Sequence, residues 1–286
     1  MINVSVIVIV KNRPRHLRNL LWGLNSTRSE HDFETIIIHM NEPIQTKPLW
    51  FKKKYIAKTL QTKSLLPLAK ARNCGASLAQ GDLLIFLDVD CIPDPQLVDD
   101  YIKLYQRHKT ALMMGEVYYL PKTFPDNWST SDLKQYGQPH KARIYLSTKS
   151  YQSTNKYELF WSLNFAVDAH IYWYKINGFN ETYQGYGGED TDFAFKARKT
   201  NTTLLWIKNA CVYHQYHAIY TPPYQHFIDI INNATAFKGI WDVWPMSKWL
   251  QEFVDNHFIE WHKSAEFIKV IKYPTKEAIN AAKIID

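Results

Sequence analysis

Two kinds of hydrophobic pattern alternate along the first two thirds of the chain. VSVIVIV (4–10) and ETIIIHMN (34–41) are near-continuous apolar runs rich in β-branched residues, the mark of strands buried on both faces. Between them, RPRHLRNLLWGLN sets Leu17, Leu20, Leu21 and Leu24 at helical spacing, with Pro14 near the helix start. Strand, helix, strand at this distance predicts a βαβ unit and a parallel sheet. PLAKARNCGASLAQ (67–80) predicts a helix stopped by Gly81. DLLIFLDVD (82–90) predicts a third buried strand that ends on acids. DPQLVDDYIKLYQRH (94–108) predicts a helix with Asp94 as its N-cap. ALMMGEVYYL (111–120) reads as a strand, and FWSLNFAVDAHIYW (160–173) as a strand and a short helix. TTLLWIKNACVYHQYH (202–217) reads as a last strand running into histidines. The lysine-rich stretch 42–64 is expected to be loop. Residues 121–158, with Pro121, Pro125, Pro139 and no periodicity, are expected to form a functional loop or flap. From about 222 the pattern turns helical and aromatic. The expectation is one α/β domain over 1–220 and a helical extension over 221–286.

Composition bounds the function classes. The 286 residues are 46 % hydrophobic, enough for one large α/β core and too apolar for disorder. The net charge is +7 and the pI about 9.0, a balance that attracts nucleic acids, anionic lipids or phosphorylated substrates. A plain solvated basic surface explains the charge equally well, and no nucleic-acid partner is expected. Cys74, Cys91 and Cys211 are odd in number and lack CxxC spacing, which points to a reducing compartment. The apolar run near the start is too short for a signal peptide core or a membrane span. These features predict a cytoplasmic protein.

Three short stretches carry candidate chemistry. In FLDVDC, Asp88 and Asp90 close a buried strand, at the sheet edge where open α/β folds bind ligands. Acids fanned at a strand end suit Mg²⁺ or Mn²⁺, which commonly bridge carboxylates to phosphates. On its own, D-x-D is also an ordinary strand-end turn. In HQYH, His214 and His217 lie three apart, on one face if helical and diverging if extended. One packed and one surface histidine is the plain alternative. In QGYGGEDTDFAFKARK (184–199), Gly185, Gly187 and Gly188 let the backbone approach a ligand closely. Glu189 and Asp190 then open a helix, where negative charge is stabilised; a glycine turn with acidic caps has the same spelling. Taken together with the basic KNRPRH after strand one, the three describe group transfer. A cation holds a diphosphate leaving group and a carboxylate activates an attacking hydroxyl.

The stretches VSVIVIVKNRPRHLRNLL, LAKARNCGASLAQGDLLIFLDVDCIP and INGFNETYQGYGGEDTDFAFKARK resemble, in order and spacing, inverting GT-A fold glycosyltransferases of the family 2 type. The carboxyl half is similar to the β-1,4-galactosyltransferase group, whose NGF…YWGWGGEDDD matches NGF…YQGYGGEDTD here. The resemblance covers most of residues 3–220. It implies a nucleotide-sugar-binding part over 1–120 and an acceptor and catalytic part over 160–220. It implies that Asp190 is the catalytic base and Glu189 the acceptor binder. It implies a nucleotide-sugar site made by Val10, Asn12, Arg13, Asn41, Lys70, Arg72, Asn73, Asp88, Val89, Tyr186, Gly187 and Gly188. The metal, Mn²⁺ or Mg²⁺, is implied to sit on Asp90 with Asp88, and on His217, His214 or both. His214 stands where that group has a methionine ligand, and Tyr186 where it has a tryptophan. The implied donor is a UDP-hexose or UDP-N-acetylhexosamine, and the acceptor a glycan or lipid-linked glycan.

The aromatic tail lies outside the resemblance. It reads as a helical cap on the domain, or, over 222–265, as an amphipathic surface for peripheral contact at the inner face of a membrane. The rival functional classes are a nucleotidyltransferase, which would want a glycine-rich phosphate loop that KNRPRH lacks, a metal-dependent hydrolase acting with water, and a non-catalytic nucleotide-sugar-binding protein.

Overall fold

The computed structural model describes residues 3–284 apart from residues 30, 65, 141–144 and 147. β1 (Val4–Val10) and β2 (Phe33–Met40) pair parallel across α1 (Pro14–Asn25), the expected βαβ unit. β3 (Lys54–Leu60) then pairs parallel with β2, inside the stretch expected to be loop. Its burial is only partial and it carries Lys54 and Lys58, as suits a sheet edge, so it lacks the apolar run that betrays a central strand.

α2 (Leu68–Leu78) leads to β4 (Leu83–Asp88), parallel to β1. β5 (Cys91–Pro93), α3 (Leu97–Tyr105) and β6 (Leu112–Tyr119) come next. Asp94 does not cap α3. Its side chain accepts the Gln96 N–H and its carbonyl the Leu97 N–H, both at 3.0 Å, which makes a turn ahead of the helix.

The segment 121–158 is more ordered than its lack of periodicity suggested, although residues 141–144 and 147 of it lie outside the described residues. It supplies α4 (Thr130–Tyr136), β7 (Gln138–Pro139) and β8 (Tyr151–Thr154). Ser129 and Asp132 form a reciprocal capping box, and Trp128 and Leu133 bury against Ile92, Leu120 and Tyr213. β9 (Asn164–Asp168) and β10 (Leu204–His214) complete the main sheet, with α5 (Glu189–Lys199) between them in sequence.

The strand order is β3-β2-β1-β4-β9-β6-β10-β5, with β7 on β6 and β8 on β10. β3, β2, β1, β4, β6 and β10 share one direction and β9 runs against them. The result is a mixed α/β fold with a mostly parallel central sheet. Alternate residues of β1 serve opposite faces. Val4, Val6, Val8 and Val10 pack with Leu17, Leu20 and Leu24 of α1, while Ile7 and Ile9 pack with Ala69, Ala71 and Ala76 of α2.

One irregularity bears on the site. Ile207 pairs with Gly115 but Val212 pairs with Val117, so β10 carries extra residues between them. Such a bulge bends a strand and re-aims the residues beyond it, here His214. Asn164 Nδ2 supports it by donating to the carbonyls of Ala210 (2.8 Å) and Glu116 (3.3 Å).

After β11 (Ile219–Tyr220), the extension holds α6 (Phe227–Trp241), α7 (Ser247–Asp255), β12 (Ile259–Glu260), β13 (Lys269–Val270), α8 (Lys276–Ala281) and β14 (Lys283–Ile284). Phe227, Ile230, Leu250, Phe253, Phe258 and Trp261 form a core of their own. The other side of α6 lies on α5. Phe237 and Trp241 meet the Phe195 ring at 5.3 and 5.4 Å, and Trp241 Nε1 donates to Asp192 at 2.8 Å. Trp261 is buried and Trp241, Trp244 and Trp249 are half-buried, so the aromatics that suggested a membrane face over 222–265 are engaged in packing. Among the described residues no helix is long and apolar enough to cross a membrane.

A Cβ at Gly115 would stand 1.9 Å from the Ala210 carbonyl oxygen and 2.4 Å from Asn164 Nδ2. Gly115→Ala must therefore displace the bulge, and a loss of about 2 kcal/mol is expected, read as a lower urea midpoint.

Candidate active site

The parallel strands all finish at one edge of the sheet, where Asp88 and Asp90 meet Arg72, His214 and His217. β1 ends at Val10, which is buried, and is followed by Asn12 and Arg13. Asn12 takes a left-handed φ of 52° and its N–H donates to the Glu42 carboxylate just after β2. Asn41, also left-handed at 51°, uses its amide to fix the next turn, donating to Ser64 O and accepting from Thr62 N–H, both at 2.7 Å.

The two acids of DVD go to different partners. Asp88, the last residue of β4, accepts from Arg72 at 3.2 Å. Val89 is buried between them, and Asp90 turns to the histidines. Asp90 Oδ1 lies 3.5 Å from His214 Nε2 and Oδ2 lies 3.3 Å from His217 Nε2. His214 ends β10 and His217 is in the loop beyond, so neither helical nor strand spacing brings them together. Asp90's carbonyl accepts the Gln215 N–H at 2.7 Å and draws the two strand ends into contact.

Among the described residues, Asp90, His214 and His217 form a group whose candidate ligand atoms all lie within 4.8 Å of one another. One carboxylate and two imidazoles suit a first-row divalent cation such as Mn²⁺ better than Mg²⁺, which favours an all-oxygen shell. Asp88 stands outside the group. Burial pushes Asp90 up, but the two histidines and Arg13 outweigh it and hold the carboxyl well below its usual range. Burial lowers His214 against the pull of Asp90.

A second cluster surrounds Arg72 on α2. Its guanidinium is buried and donates to Asp88 and to Glu189, each at 3.2 Å, over the Phe179 ring at 5.1 Å. Glu189 opens α5 directly after Gly188, and Gly187 and Gly188 hold φ of 93° and 90°, open to glycine at little cost. Asp190 is half-buried and accepts its neighbour's N–H, that of Thr191, at 2.7 Å. Burial and the charge of Glu189 push Asp190 up to about 7 despite Arg72. Burial likewise pushes Asp88 up to about 6 against Arg72, with Asp90 adding to the rise.

Asn73, beside Arg72, has its amide engaged. It donates to Phe179 O and Glu181 Oε1 and accepts from Tyr172 Oη and Phe179 N–H, at 2.7–2.9 Å. Its evident work is to clamp the NGF turn under Arg72. Lys70 is exposed on the same helix. A cavity of about 580 Å³ lined by Asp82, Tyr105, Asp168, Trp173 and Tyr174 opens at the opposite edge, where β4 begins, and contains none of these residues.

Residues 5–172 match the model of glycosyl transferase family 2. The chain belongs to this family. Residues 142–220 also match the model described as the N-terminal domain of galactosyltransferase. Validoxylamine A glucosyltransferase of Streptomyces hygroscopicus subsp. limoneus is 24 % identical over 214 residues, 68 % of this chain and 47 % of that protein. Hyaluronan synthase of Pasteurella multocida is 23 % identical over 247 residues, 75 % of this chain and 24 % of that protein. The chain thus spans about half the length of the first and about a quarter of the second. Among solved structures, S. aureus TarS 1–349 in complex with UDP-GlcNAc aligns with a TM-score of 0.58 at 16 % identity, over 90 % of this chain and 72 % of that one. GalNAc-T7 with UDP, GalNAc and Mn²⁺ aligns with a TM-score of 0.56 at 16 % identity, over 76 % and 44 %. These likenesses establish the GT-A fold of this family 2 member.

Several residues at the site were not among the sequence candidates. Glu42 lies just past a strand end, the same signal that found Asp88, and could have been found that way. His16 lies in KNRPRH with its ring 6.4 Å from that of His217, and Tyr119 stacks on His214 at 4.7 Å. Asn233 in α6 has no local signal at all. Its amide donates to Gln184 O (2.9 Å) and Gly187 O (2.8 Å) and accepts the Gln184 N–H (3.2 Å), holding the glycine loop.

Arg72→Met would leave the buried Glu189 and the half-buried Asp88 without their cation. A loss of about 3 kcal/mol is expected, measured by urea denaturation at neutral pH.

Proposed function

We propose that this family 2 protein is an inverting, metal-dependent glycosyltransferase. It moves a hexose or N-acetylhexosamine from a UDP-sugar to a hydroxyl of a glycan or related acceptor. The observation that carries the reading is the convergence, at one sheet edge, of a carboxylate–imidazole group spaced to hold a cation with a carboxylate whose pKa is raised to about 7. UDP-GlcNAc in TarS, and UDP with Mn²⁺ in GalNAc-T7, support the donor class on this fold.

The acceptor hydroxyl gives its proton to Asp190 as its oxygen attacks the anomeric carbon opposite the diphosphate, in a single displacement that turns an α-linked donor into a β-linked product. Glu189, fixed by Arg72, holds the acceptor's hydroxyls. Asp90, His214 and His217 would hold the cation, which when bound offsets the charge on the departing diphosphate. Asp88, which the resemblance assigns to the ribose or the cation, would meet the ribose, since its carboxylate turns to Arg72 and lies outside the Asp90–His214–His217 group. Val10, Asn12, Arg13 and Asn41 border the nucleotide from the ends of β1 and β2, and Lys70 lies on the helix that carries Arg72.

The test is UDP release. With Mn²⁺ and a panel of UDP-glucose, UDP-galactose, UDP-N-acetylglucosamine and UDP-N-acetylgalactosamine, one donor should yield metal-dependent UDP. Asp190→Asn should cut it by about 10²–10⁴-fold, and Asp90→Ala should abolish the metal dependence. Absence of both release and donor binding would overturn the reading.

A base acts only when ionised, so kcat/KM should climb with pH through about 7 and level off above it. A profile flat from pH 5 to 8 would remove Asp190 from that role.

A further inference from the structure

We propose that the acceptor subsite is completed by the C-terminal extension: His226, Asp229 and Trp249 form, with Tyr186, the wall that receives a pyranose ring. The inference rests on the transfer reading above and adds the residues of the extension that receive the glycan acceptor. Neither family match reaches these three, because the matches end at residues 172 and 220.

Tyr186 keeps 37 % of its surface exposed although its ring lies on His226, with centroids 4.5 Å apart and planes at 18°. Trp249 stands 5.7 Å away on α7. His226 Nδ1 faces the Asp229 carboxylate at 3.6 Å, and both side chains remain partly open to solvent. Tyr186 stands three residues before Glu189 on the glycine loop, and burial with the charges of Glu189 and Asp190 pushes its hydroxyl above its usual range.

The extension is held tightly against this loop. A Cβ at Gly185 would come within 2.1 Å of the Asp229 carboxyl carbon, and one at Gly187 within 2.6 Å of Met246 Sδ. With the Asn233 clamp, these contacts fix the aromatic wall relative to Asp190. The chemistry matches a sugar. A pyranose has an apolar C–H face that lies on aromatic rings, and a rim of hydroxyls that an imidazole and a carboxylate can bond. Trp249 also packs against the extension's core, but that packing requires neither the partly open His226–Asp229 pair nor the exposed part of Tyr186.

The experiment is calorimetry on the full chain loaded with UDP and Mn²⁺. The probes are methyl α- and β-pyranosides of glucose, galactose, N-acetylglucosamine and N-acetylgalactosamine. At least one should bind. His226→Ala and Asp229→Asn should weaken it tenfold or more while the Kd for UDP moves less than twofold. Ile228→Ala, exposed on the same helix, should change neither. The proposal is overturned if no glycoside binds the UDP-loaded protein, if both variants bind glycoside as wild type does, or if they lose UDP and glycoside together. Failure of UDP itself to bind is a separate result: it removes the nucleotide-sugar reading, and this inference with it.

Discussion

The guanidinium of Arg72 joins two carboxylates that arrive from distant parts of the chain, Asp88 at a strand end and Glu189 at a helix start. It is one positive charge among three buried or half-buried acids, because Asp190 lies next to Glu189. A single cation cannot balance them all, so the surplus negative charge and the burial fall on Asp190 and Asp88 and raise both. This is how a common carboxylate comes to titrate near neutrality. The support reaches further: Phe179 lies under the guanidinium, and Asn73 fixes Phe179 by its backbone. The ARN triplet therefore contributes both the charge and the clamp that aims it.

A separate device builds the cation group. The turn after β4 sends Asp90 away from Asp88, and the bulge in β10 redirects the strand that ends on His214. The backbone bond between Asp90 and Gln215 brings the two ends together, and the Gln215 side chain accepts from Asn19 and donates to the His16 carbonyl, which ties in α1. Two acids two residues apart thus serve two functions: one faces a fixed positive charge, the other two imidazoles.

The extension gives the third constraint. The glycine loop has the freedom to adopt left-handed backbone, but freedom alone does not define a conformation. Asn233 supplies the missing bonds, and Trp241 binds Asp192 one turn into α5. Without α6 the glycine loop that leads into the carboxylates would have few partners. With it, their geometry is set from both sides.

Much of the fold was legible in the sequence because central parallel strands are buried on both faces and must be apolar throughout. β1, β2 and β4 announced themselves this way, and the acids at the end of β4 marked the edge where the candidate site lies. β3 did not, because an edge strand with one covered flank tolerates lysines. The helix α4 was hidden by its shortness and by the prolines around it. The motifs DVD, HQYH and GYGGED named the chemical groups, since carboxylates, imidazoles and glycines are defined by residue type. What residue type cannot express is which group faces which. That Asp88 meets Arg72 while Asp90 meets two histidines, and that an asparagine in the tail holds the glycine loop, depends on contacts between residues far apart in sequence, and only the tertiary structure decided them.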